Sequence, residues 1–131
     1  MKQSISILAL AAFIAIGFAS CTKVEENEAP TVTIISPSAA NNPYMSGMPI
    51  NIHVEVTDDV ELHDIVVTVA REHDSAEVSS KYGHSHSTTY SLEEDTMFTT
   101  TMHSDFTVTA TASDHEGEET VATATFHMHP M

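Results

Sequence analysis

Nine histidines and seven methionines stand in a chain of 131 residues that holds one cysteine. Imidazole is the commonest metal-binding side chain and the one that titrates nearest neutral pH. His84-Ser85-His86 and His127-Met128-His129 each repeat at a spacing of two, which sets both imidazoles on one face of an extended strand. His103 and Asp105 share that spacing. Imidazole with thioether suits copper, and imidazole with carboxylate suits zinc. A second set of donors is purely acidic: Asp58, Asp59 and Glu61 in one polar stretch, Asp114, Glu116, Glu118 and Glu119 in another. Hard oxygen ligands suit calcium, with Asp58, Asp59, Asp114 and Glu116 as its carriers. The spacing fits no EF-hand, and a solvated loop whose Asp caps its own turn accounts for the same pattern. Parts for other chemistry are missing from the sequence. It has no Gly-rich phosphate loop, no Gly-x-Ser-x-Gly elbow and no paired-Cys zinc pattern. The expectation is a protein that is not an enzyme.

The elements that must position these residues are strands. Thr31-Val32-Thr33-Ile34-Ile35 is a β-branched run closed by Ser36-Pro37. Ile50, Ile52, Val54 and Val56 alternate with polar residues, the period of a half-buried strand. Leu62, Ile65, Val67 and Val69 carry the next. Thr88 to Leu92 and Met97 to Met102 read as two short strands, whereas the polar stretch 72–87 is assigned to none. Phe106, Val108, Ala110 and Ala112 alternate with threonines, and so do Ala122, Ala124, Phe126 and Met128 with their neighbours. About seven short strands in about 100 residues predict an all-β, immunoglobulin-like sandwich over 31–131.

Register follows from hiding both apolar rows of the last hairpin. Phe106 then faces Phe126, Val108 faces Ala124 and Ala110 faces Ala122; a slip of one residue would turn one row outward. The same register sets Asp105 opposite His127 and His103 opposite His129, with opposed Cβ atoms ~5 Å apart. A slip of two would set His103 opposite His127. Either way His103, Asp105, His127 and His129 gather at one end, while Met128 points into the core.

Pro30-Thr-Val-Thr-Ile-Ile-Ser-Pro37, the passage Val56-Thr-Asp-Asp-Val-Glu-Leu62, and Phe106 to Gly117 (FTVTATASDHEG) occur in that order. Together they resemble bacterial Ig-like and cadherin-like domains over most of 30–128. The resemblance implies a two-sheet sandwich used for spacing, adhesion, or binding of glycan or protein, with no catalytic residues to carry over. Its topology puts the connections after the first, third and fifth strands at the same pole as the chain's end. That pole would collect Met45, Met48, His73, Asp74, His84 and His86 beside His103, His127 and His129. Cadherin-like relatives bind calcium near acidic loops such as those at the other pole.

The N-terminus has a different task. Lys2, a largely apolar run from Ile5 to Phe18, and Ala19-Ser20-Cys21 have the layout of an export signal. The run is shorter than the ~20 residues a membrane span takes. Phe18-Ala19-Ser20-Cys21 resembles the lipobox of bacterial lipoproteins, with Phe18 where Leu is usual. This implies cleavage of residues 1–20, lipidation of Cys21 and a Gram-negative outer-membrane address, periplasmic or at the cell surface. Residues 21–30 then form an acidic tether, and the lipid is the sole membrane contact. After cleavage Lys23, Arg71 and Lys81 stand against nineteen acidic residues, which excludes nucleic acid as a partner.

Three functions remain open. The first is a non-catalytic, lipid-anchored binding or accessory module for an envelope protein or glycan. The second is a His/Met-rich protein that binds copper or zinc. The third is a pH-responsive interaction module, since many histidines beside many carboxylates change net charge between roughly pH 5 and 7.

Overall fold

The computed structural model describes residues 26–131; the leader 1–20, Cys21 and the first tether residues lie outside them. The chain is an all-β sandwich. Its strands are β1 (Thr31–Ser36), β2 (Tyr44–Met45), β3 (Pro49–Thr57), β4 (Leu62–Arg71), β5 (Ala76–His84), β6 (Thr89–Met97), β7 (Ser104–Asp114) and β8 (Glu119–His129). One sheet has the order β1-β3-β6, the other β2-β8-β7-β4-β5. All pairings are antiparallel except the short β2–β8 contact, which is parallel. The third, penultimate and last long strands lie side by side as they do in immunoglobulin-like sandwiches.

Alternation drives the layering. β3 buries Ile50, Ile52, Val54 and Val56, and β4 answers with Leu62, Ile65, Val67 and Val69. β7 adds Phe106, Val108, Ala110 and Ala112. Between them Phe106 and Phe126 stack with centroids 5.3 Å apart. The last hairpin adopts the register its apolar rows require: Phe106 pairs with Phe126, Val108 with Ala124, Ala110 with Ala122 and Asp105 with His127. Met128 is fully buried, so His127 and His129 on either side of it face outward.

Three segments depart from the sequence reading. Residues 76–84 form the full strand β5, an edge strand whose residues are mostly exposed. It buries no apolar row, so no alternation announces it. Thr89–Met97 is one strand rather than the start of two. Phe98 then drops into the core, and Thr100 Oγ1 donates to Met102 O at 2.7 Å to shape a loop. Tyr44–Met45 pairs with Met128–His129 inside a stretch that reads as turn alone. Packing also reaches upstream of β1, where Pro30 is buried and Asn27 Nδ2 donates to Asp114 Oδ2 at 2.6 Å.

Candidate metal centre

The end of the β7–β8 ribbon builds the first site. His127 and His129 project from one face of β8, and His103 sits on the loop entering β7. That loop is fixed from inside. Thr100 N–H donates to Ser46 Oγ at 2.9 Å, and Thr100 Oγ1 lies 2.8 Å from Ser104 Oγ in a buried hydroxyl network. The chain before β2 pins the other side, where Asn42 Oδ1 accepts the His127 backbone N–H at 2.9 Å. Ser46 N–H donates to His129 O at 2.9 Å.

The three imidazoles converge. Ring centroids are 4.4 Å apart for His103–His129, 5.1 Å for His127–His129 and 5.7 Å for His103–His127. One ligand nitrogen from each lies within 4.8 Å of the others. Asp105 Oδ1 accepts a hydrogen bond from His127 Nδ1 at 2.6 Å. That bond fixes the ring's tautomer and leaves Nε2 as the ligand atom, the carboxylate–imidazole arrangement usual behind metal-binding histidines. Partial burial, then the neighbouring His103 and His127 rings, push the His129 imidazole below its ordinary value. A neutral ring is the form that ligates. Three nitrogens with one open coordination position suit an exchangeable zinc or copper ion. Met45 pairs with His129 across β2–β8 and is 41% exposed, which puts a thioether-bearing residue beside the imidazoles.

His84 and His86 do not join this group. β5 runs the length of the sheet from the turn after β4, so His84 arrives at the opposite pole, paired with Asp64. Reading 72–87 as a connection instead of a strand puts both residues at the wrong end. There they meet His63 and His115, two histidines that the sequence reading left out. His73, in the turn between β4 and β5, stays at the first pole, where its Nε2 lies 3.7 Å from Asp74 Oδ2. Asp74 is held by Arg71 at about 2, well below the ordinary carboxyl range. A signal for His63 does exist in the sequence. Leu62 and Ile65 are both core residues three apart, which breaks strand parity. The structure resolves this with a bulge between them, and a bulge re-aims the side chains it carries.

The acidic residues also part company. Asp114 Oδ1 accepts backbone N–H groups from Glu116, Gly117 and Glu118 at 2.8, 2.6 and 2.9 Å. Burial works to raise this carboxyl, but the bonds from Asn27 and the turn outweigh it and hold it below its ordinary value. Asp58 Oδ1 accepts the Asp59 N–H at 2.8 Å, while burial pushes its carboxyl up, with the Asp114 charge adding to the effect. Asp58, Asp59, Asp114 and Glu116 do not converge as one ligand set among the described residues. Asp58 and Asp114 each spend one carboxylate oxygen on capping their own turn.

Comparison with protein-family models finds no match, and comparison with curated proteins finds none.

Proposed function

We propose that this protein is a non-catalytic binding module of a bacterial envelope, tethered through Cys21, whose ligand is a copper or zinc ion held by His103, His127 and His129. The observation that carries the reading is the convergence of three imidazoles with Asp105 behind one of them. The hairpin register, the buried hydroxyls and Asn42 fix the backbone that carries all three rings, and Asp105 holds the His127 ring. Such preorganisation lowers the ordering cost of binding. An ion held by three histidines would keep a fourth position for a donor from a partner.

Calorimetry on metal-stripped protein is the test. The expected result is binding of zinc or copper at micromolar affinity or tighter. H127A/H129A should remove the heat assigned to this pole. Asp105→Asn should weaken affinity by about 10- to 100-fold while leaving stoichiometry unchanged. Binding only in the millimolar range, or affinity unaffected by H127A/H129A, would overturn the proposal.

A further inference from the structure

The pole opposite the first site holds four imidazoles in a closed circuit. From His63 to His84 to His86 to His115 and back to His63, successive ring centroids are 4.7, 4.8, 5.0 and 4.7 Å apart. The His84–His115 diagonal is 6.4 Å. The start of β4, the end of β5 with the chain just after it, and the β7–β8 turn deliver these rings, and backbone bonds lock the three segments together. Ser85 N–H donates to His63 O at 2.9 Å, His115 N–H to Glu61 O at 3.0 Å, and Leu62 N–H to Ser87 O at 3.0 Å.

Asp64 lies behind two of the rings. It accepts from His84 Nδ1 at 3.0 Å and lies 3.4 Å from His63 Nδ1. Consecutive strand residues normally point to opposite faces; the β4 bulge brings His63 and Asp64 together. With its Nδ1–H given to Asp64, His84 presents a bare Nε2, and His86 Nε2 lies 3.2 Å from it. Two adjacent nitrogens on one metal ion, each bonded at ~2.0–2.1 Å, lie about 2.9–3.3 Å apart. His86 Nδ1 in turn lies 3.1 Å from His115 Nε2. His115, His86 and His84 thus line up as a hydrogen-bonded chain that ends on Asp64. A carboxylate oxygen of Glu61 lies within 4.8 Å of a nitrogen from each of His86 and His115, which adds a negative charge at the rim.

We propose that this circuit is a second transition-metal site, built on the imidazoles of His84 and His86, completed by His63 and His115, and suited to copper(II). Copper(II) takes imidazole readily and heads the affinity order of divalent metals. The site is independent of the His103/His127/His129 reading, and each pole can be measured with the other removed.

The test uses H127A/H129A, in which the first pole is disabled, titrated with copper(II) alone. The expected result is one equivalent bound at micromolar affinity or tighter, with three or four imidazole nitrogens visible in the electron paramagnetic resonance of the bound ion. Adding H84A/H86A should abolish that equivalent. Both side chains are exposed, so circular dichroism should remain that of a sandwich. H63A/H115A, in the same background, should weaken binding at least 10-fold. No equivalent bound by H127A/H129A, two or fewer nitrogens, or an equivalent that survives H84A/H86A would each overturn the inference. H84A/H86A with the first pole intact reports on that pole separately, so the failure of either proposal is distinguishable from failure of the other.

Discussion

Asp105 and Asp114 lie at the two ends of β7 and use their carboxylates differently. Asp105 is exposed and spends one oxygen on an imidazole. Asp114 is buried and gathers three backbone N–H groups and the Asn27 amide. Gly117, at φ +95°, permits the tight β7–β8 turn that follows Asp114. Replacing Asp114 with Ala leaves several donors unsatisfied, and a charge-assisted network of this size should cost about 2–3 kcal/mol in urea denaturation. The pH dependence has a definite sign. Because the folded carboxyl lies below its ordinary value, its contribution is full above the unfolded value of about 4. It is lost as pH falls through the lower folded one. The wild-type protein should therefore lose stability in that acid window more steeply than Asp114→Ala does. Parallel acid profiles for the two proteins would count against the cap.

At the scale of elements, β5 decides the placement of the second pole, and one glycine lets it lie where it does. A Cβ at Gly83 would collide with the ring of Tyr90 on the other sheet, and Tyr90 packs against the core. Lys81 Nζ and Glu94 Oε1, 2.8 Å apart, join the same two strands further along. Gly83→Ala should destabilise the domain by about 1–3 kcal/mol, as overpacking does. It should also weaken copper(II) binding at the second pole, because His84 follows it directly. A thermal melt with copper titration reads both effects. Unchanged values of both would mean that Tyr90 yields without cost. The β7–β8 ribbon of the first pole was legible in the sequence because two apolar rows confine its register to one parity. β5 was not, because an exposed edge strand carries no such row, and His84 and His86 were displaced with it.

For the whole molecule, the sandwich is an acidic body with imidazole clusters at both poles. Within 31–131, sixteen acidic residues stand against Arg71 and Lys81, a balance that draws cations to the surface. A ligand that binds only the folded state stabilises it by mass action, about 2.7 kcal/mol per site at 100 times its dissociation constant. For a domain of this size that raises the melting temperature by about 10 °C or more. Zinc or copper should produce such a shift, a chelator should reverse it, and a variant lacking both His pairs should show none. A melting curve indifferent to metal would remove the functional reading of both poles together.

The sequence by itself determined the layers, the inward rows of β3, β4, β7 and β8, and the parity of the last hairpin, which gathers His103, Asp105, His127 and His129 at one end. Each of these follows from local alternation against water, which a chain carries in its own order of residues. Only the tertiary structure decided where His84 and His86 go and that His63 and His115 meet them. That outcome depends on an edge strand with no apolar face, a bulge between Leu62 and Ile65, and backbone bonds between loops distant in sequence. Interactions of that kind exist only once the sheets have closed.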